Sequence, residues 1–374
     1  LADDWVIAGQ DMTLEDIAGI SHDKDARITL TGPASERIEQ ALDLVMEAAL
    51  QGKAVYGLTV GVGWNKDRPI FAMEDGKKVL DADLLEMSRT FNLSSLRAHG
   101  AGIGDPMPVD AVRAAMAIRL NQIATGRTGV QPAVAEMYRQ FLEQGITPVV
   151  PERGSVGEAD ITLASHIGLA MIGEGDVFVE GERMSAAQAL NDAGIAPLEP
   201  IGKDFLSILS TNALTVGRAA LLSEEVREYL DLQTAIFALQ LEGFNGNIAP
   251  FLAESAEERP FDENITGAEK VRSALKGSYL WETSANRPLQ DPLSYRTMAY
   301  VLGGAYVALQ DLQDALEIQI NHSDDNPMVV VGAVDTDASS QVASYLIDGD
   351  VSGAIYPRND SARRNALPVQ FPPS

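Results

Sequence analysis

Apolar positions recur at steps of three and four along most of the chain, a period that predicts helices. Between residues 34 and 51, Ile38, Leu42, Val45, Met46 and Leu50 share one face, and Gly52 stands where a helix C-cap belongs. The same period runs over 108–125, ending before Gly126, and over 132–144, stopping at Gly145. A longer apolar-rich stretch covers 205–243, broken at most once. Another covers 295–321, with Leu302, Ala305, Leu309, Leu312, Leu316 and Ile320 in phase. Strand signals are short: Val177 to Val179 ahead of Glu180-Gly181, and Met328 to Val331. Residues 53–80 and 332–374 read as loops, with Gly and charge in the first and Gly, Asp, Ser and Pro in the second. The ending Phe371-Pro372-Pro373-Ser374 is abrupt for a packed domain and suggests a chain that continues. No internal repeat is visible.

Composition narrows the class. The chain has 374 residues, enough for one large domain or two ordinary ones, and its 45% hydrophobic and 22% charged residues suit a soluble globular protein. With no cysteine, disulfides, thiolate metal sites and a cysteine nucleophile are excluded. A net charge of -26, from 54 acidic against 28 basic residues, argues against a nucleic-acid partner and reads as a solubilising surface. No apolar run approaches the ~20 residues of a membrane helix, so no membrane partner is expected. The chain begins at Leu1, which leaves open whether an initiator alone or a targeting segment is lost; the expected location is the cytoplasm.

Isolated motifs say little. The four histidines, His22, His99, His166 and His322, show no ligand spacing, so no metal site is expected. Gly100-Ala101-Gly102-Ile103-Gly104 echoes a dinucleotide fingerprint, but Asp105-Pro106 follows where a helix should open, and close chain packing explains those glycines better. Ser155 lacks the spacing of a nucleophile elbow.

The order of the blocks is more telling. Tyr56 to Gly63 (YGLTVGVG), His99 to Pro106 (HGAGIGDP), Arg119-Leu120-Asn121 with Gly126 to Val130, Pro148 to Gly157 (PVVPERGSVG) with Asp160 and His166, Ile172 to Gly175, Leu289 to Pro292 with Arg296, and Asp325-Asn326-Pro327 follow one another. Together they resemble the histidine and aromatic amino acid ammonia-lyase family. The resemblance implies a mainly α fold, a long helical bundle with a small N-terminal domain, and a homotetramer with shared active sites. The expected division is 1–200 as the N-terminal domain and 201–374 as the bundle.

The resemblance also implies chemistry. Family members remove ammonia from an L-amino acid, using a methylidene-imidazolone made from an Ala-Ser-Gly triplet. Tyr56 falls on the base that takes the β proton, and Arg296 on the arginine that grips the carboxylate with two prongs. Gln290 and Asn326 match positions that hydrogen-bond near the substrate, and His99 matches the histidine at its side-chain end. The triplet itself is missing: Ser155-Val156-Gly157 runs into Glu158-Ala159-Asp160, two residues where the family has three. The family's supporting asparagine falls on Ser210, with Asn212 two positions late, and its second tyrosine falls on Leu293. No cofactor is therefore expected, the methylidene-imidazolone included. Two readings follow. One is a carbon–nitrogen lyase or aminomutase-like enzyme with altered electrophile chemistry. Its catalytic loop would be Glu158, Ala159 and Asp160, and Glu158 would act as an acid or bind a cationic amine. The other is a non-catalytic relative that binds an amino acid or a protein partner.

Overall fold

The computed structural model describes residues 4–62, 82–155, 159–284, 286–334 and 340–358. The chain forms two compact units that are not consecutive halves: Leu1–Leu221 with Leu316–Ser374, and Leu222–Ala315. No unit boundary falls at residue 200, because the segment after it folds onto earlier helices.

In the first unit the described elements are β1 (Asp4–Ile7), α1 (Leu14–His22), β2 (Arg27–Leu30), α2 (Gly32–Leu50), α3 (Ala82–His99), β3 (Ile103–Pro106), α4 (Val109–Ala124), α5 (Pro132–Glu143), β4 (Thr147–Pro148), β5 (Pro151–Arg153), α6 (Ile161–Met171), β6 (Asp176–Val179), β7 (Glu182–Ser185), α7 (Ala186–Asp192) and α8 (Asp204–Leu209). The long α9 (Ala213–Gly243) begins there. In the second unit follow α10 (Ala253–Glu257), α11 (Asp262–Ala274), α12 (Leu293–Arg296) and most of α13 (Met298–Ile320). The first unit then resumes with β8 (Met328–Val331), α14 (Ser340–Ala343), β9 (Leu346–Ile347) and β10 (Gly353–Tyr356). The fold is mainly α, as the periodicity predicts. The expected break in 205–243 lies at residues 210–212.

Local chemistry sets the element ends. Thr13 caps α1 reciprocally with Asp16, and Thr31 caps α2 through Ala34 N. The buried face of α2 is Ala34, Ile38, Ala41, Leu44, Val45 and Ala48, turned from the predicted face, with Leu50 39% exposed. Small alanines make the close contacts there, and hydrophobicity alone underweights them. Two of the small sheets correct the sequence reading. In β4-β6-β7, a hairpin at Glu180-Gly181 adds a strand beyond the predicted one. In β8-β10-β9, two strands lie in the region read as loop. The stretch Asp204–Gly243 is long and apolar enough to cross a membrane by length and composition, contrary to the sequence expectation. Because 78% of its apolar window is buried inside the protein, packing accounts for that apolarity.

The second unit has its own core, with Leu230, Phe237, Leu241, Phe251, Val271, Leu302, Tyr306 and Leu309 in one cluster. The predicted stripe on α13 lies inside: Leu302, Leu309, Leu312, Leu316 and Ile320 are all buried. The exposed apolar stripe runs along α9 instead, through Leu222, Tyr229, Leu232, Ile236 and Leu239.

Candidate active site

The first unit is organised around α4, which is buried on every side from Ala111 to Ala124 yet carries Arg113, Arg119, Asn121 and Gln122. Polar groups so placed must be matched inside the protein. Arg113 caps the end of α1, donating to the carbonyls of Ile20, Ser21 and Asp23, and also to that of Leu142. Asn121 donates to Ile320 O and accepts from Gly9 N.

Arg119 is the centre of a buried charge cluster. Its Nη1 donates to Asp324 Oδ1 at 2.9 Å and to Gln122 Oε1 at 3.1 Å. Its Nη2 reaches Asp325 Oδ2 at 2.8 Å, and both Nε and Nη2 donate to Ser207 O. Lys203 Nζ donates to Asp325 Oδ1 at 2.9 Å, Ser207 Oγ at 2.6 Å and Thr128 O at 2.5 Å. Two cations thus face two carboxylates, all four nearly inaccessible to solvent. Burial alone would push the Asp325 carboxyl up, but Lys203 and Arg119 beside it hold it below the usual range.

This cluster fixes two further segments, the turn between α8 and α9 and the backbone at Asp160. Asp324 Oδ2 accepts from Thr211 Oγ1 at 2.9 Å and from Asn212 N at 3.0 Å, which sets the turn between α8 and α9. The carbonyl of Thr211 in turn accepts from Asp160 N at 2.7 Å. Asp160 is buried, and Thr215 donates to both its carboxylate oxygens, through N and Oγ1, at 2.8 Å each. Burial pushes its carboxyl up, while the Thr215 and Ser155 hydrogen bonds oppose that. With so many acceptor positions engaged, Asp160 anchors the loop end to the start of α9. The buried Asn212 accepts at Oδ1 from Gln319 Nε2 at 3.0 Å, and its Nδ2 is left without a hydrogen-bond partner among the described residues.

Tyr56 is half-buried on a tight loop in which Thr59 Oγ1 accepts from Val55 N and donates to Lys53 O. Gly57 has φ +70°, and a side chain there would collide with Leu206 of α8, so the loop rests closely on that helix. His99 ends α3 and donates from Nδ1 to Ser95 O at 2.7 Å. That bond places the lone pair of the neutral ring on Nε2. The Gly100–Gly102 segment after it lies against Leu169, Leu163 and His166 of α6, which explains the small residues without any nucleotide.

Ala159, Asp160, Ser210 and Asn212 are therefore joined through the turn, and Asn326 follows Asp325 directly, its Oδ1 accepting from Arg358 N at 2.8 Å. Glu158 lies outside the described residues. Arg296 and Gln290 belong to the second unit. Arg296 is half-buried and donates from Nε to Asp291 O at 2.9 Å; its Nη groups have no hydrogen-bond partner among the described residues. Gln290 is exposed. No cluster able to hold a metal occurs among the described residues. Sequence reasoning missed Lys203, Thr211, Thr215 and Asp324 as parts of the site. The available signal was polar residues inside apolar helices, Arg119 and Gln122 above all.

The missing triplet is a question of fit. Ring closure to a methylidene-imidazolone needs a serine that can dehydrate and a following glycine nitrogen free to attack. Here Ala159 has no hydroxyl to lose, and the next nitrogen, of Asp160, is held by Thr211 O. The residues present do not fit that group.

Known proteins resemble the chain over nearly this whole extent. A family model described as aromatic amino acid lyase matches residues 12–350. The histidine ammonia-lyase of Geobacillus thermodenitrificans is 34% identical over 333 residues, 88% of this chain and 63% of the relative. That of Stigmatella aurantiaca is 33% identical over 327 residues, 87% and 61%. Among solved structures, the ergothioneine-degrading enzyme ergothionase of Treponema denticola, bound to desmethyl-ergothioneine sulfonic acid, aligns with a TM-score of 0.79 and 36% identity, covering 88% of this chain and 63% of that one. Tyrosine aminomutase of Streptomyces globisporus aligns with a TM-score of 0.75 and 26% identity, covering 89% and 64%. The chain spans somewhat under two thirds of the length of these relatives.

Proposed function

The chain belongs to the aromatic amino acid lyase family, and from that premise we propose that it is a carbon–nitrogen lyase acting on a histidine-like or aromatic L-amino acid whose amine leaves without capture by a built-in electrophile. The observation that carries this reading is the sequence Gly157-Glu158-Ala159-Asp160, with the Asp160 nitrogen already engaged.

The chemistry follows from the leaving group. A free α-ammonium is a poor leaving group once it loses a proton, which is why an electrophile is worth making. A trialkylated ammonium has no such proton and departs as a neutral tertiary amine. Ergothioneine, the compound named for the Treponema relative, is a trimethylammonium betaine of this kind, and the likeness supports a betaine as the substrate class here. In this reading Tyr56 takes the β proton, Arg296 binds the carboxylate through its two Nη groups, His99 and Asn326 contact the rest of the substrate, and Glu158 offers a carboxylate to the cationic amine. Electrostatic contact by Glu158 suits a quaternary ammonium, which has no N–H to donate. We also infer a homotetramer, supported by the exposed apolar stripe on α9. The non-catalytic reading draws on the same missing triplet.

The test is to incubate the protein separately with L-histidine and with its Nα-trimethyl betaine, following the ultraviolet absorbance of the new conjugated double bond and the released amine. The betaine is expected to be consumed faster. Tyr56→Phe is expected to abolish turnover and leave binding of the betaine intact. Turnover of L-histidine alone would overturn the betaine assignment, and binding with no turnover of either would favour the non-catalytic reading.

A further inference from the structure

Asp324 is buried, and its two carboxylate oxygens face different parts of the protein. Oδ1 accepts from Arg119, on the core helix. Oδ2 accepts from Thr211 Oγ1 and Asn212 N, in the turn whose carbonyl holds Asp160 N. The next residue, Asp325, is gripped by Arg119 and Lys203, and Asn326 follows it. A charge cluster that served the core alone would have no need to reach the turn. This one runs from α4 through a carboxylate to the backbone at Ala159-Asp160, and holds Asn212, whose buried Nδ2 has no hydrogen-bond partner among the described residues.

We propose that Asp324 is a positioning residue, which through Thr211 fixes the backbone at Ala159-Asp160 and the spare Asn212 donor in register with Asn326. The relevance of that register to catalysis rests on the function proposed above. The register itself is a property of the ligand-free protein.

Removing the Asp324 carboxylate would strand Arg119 and endanger folding, so the test is made at Thr211. Thr211→Val keeps the shape and the carbonyl but removes the hydroxyl, which donates to Asp324 and accepts from Ala213 N at 3.1 Å. Thr211→Ser restores it. Amide hydrogen exchange is measured by mass spectrometry in both variants and in the unaltered protein, without ligand. Thr211→Val is expected to speed exchange in the peptide containing Asp160 by about ten-fold or more, the scale set by losing one hydrogen bond to a charged acceptor. Peptides from α1 and α5 should be unchanged, and Thr211→Ser should return the Asp160 peptide to its original rate. With the betaine as substrate, Thr211→Val should lower kcat more than it raises KM. An unchanged Asp160 peptide, a rise spread evenly over the protein, or failure of the serine variant to rescue would overturn the proposal. A protein that turns over neither substrate would overturn the function proposed above instead, since the exchange result stands without turnover.

Discussion

Arg119 in the first unit and Arg296 in the second both fall in blocks that resemble one enzyme family, yet their surroundings differ. Arg119 is 1% exposed, and its Nε, Nη1 and Nη2 are all committed to Ser207, Gln122, Asp324 and Asp325. Arg296 is half-buried and, among the described residues, commits only Nε, to the Asp291 carbonyl. A guanidinium has five N–H groups. The first arginine has none left for a ligand, while the second has Nη groups without a hydrogen-bond partner among the described residues. The difference separates two settings that sequence blocks alone merge: one cation is spent on the buried framework, and the other is the one to which the proposed function gives the substrate carboxylate.

The largest expected effect tests the first half of that comparison. Arg119→Met leaves Asp324 and Asp325 short of a buried cation, and should destabilise the protein by about 3–5 kcal/mol in denaturant titrations. Arg296→Met should cost under about 1 kcal/mol, because it breaks a single half-buried bond to a carbonyl. Equal losses would collapse the distinction.

A second test stays within the first unit and uses pH. Asp204 is buried at the start of α8, where it accepts from Gln131 and Ile201, and burial pushes its carboxyl from the ordinary 3.8 up to about 6. A raised carboxyl pKa favours the protonated native form. Its contribution to stability is therefore fully present below about pH 4 and is lost as pH rises through about 6. The rise corresponds to about 3 kcal/mol. Asp204→Asn cannot titrate, so relative to the unaltered protein it should gain about that much stability between pH 4 and pH 7. A difference between the two proteins that does not change with pH would show that the carboxyl titrates normally.

The smallest effect sharpens the second half. Arg296→Lys replaces a two-pronged donor by a point charge and should weaken betaine binding by about 1–3 kcal/mol in calorimetry, leaving the melting temperature unchanged. Unchanged affinity would remove Arg296 from the binding site.

How much of this could be read from the sequence depended on distance along the chain. Helix periods and capping residues are local, so α4 and α5 were legible to within a residue or two, and a break in 205–243 was legible without its position. The strands β9 and β10 were not, because their pairing with β8 comes from residues brought together by folding, and two to four residues carry little periodicity of their own. Tyr56, Arg296 and Asn326 were legible as motif positions. The role of Asp324 was not, since its partners Arg119 and Thr211 lie more than a hundred residues away. For the same reason Asp160, grouped by sequence with the catalytic loop, proves in the structure to be anchored through Thr215.

The central claim is elimination without a self-made electrophile, and intact mass measured on a preparation that is turning over the betaine tests it most directly. The account predicts the mass of the unmodified chain, and activity that survives borohydride. A mass short by two waters, together with activity lost to borohydride, would contradict it.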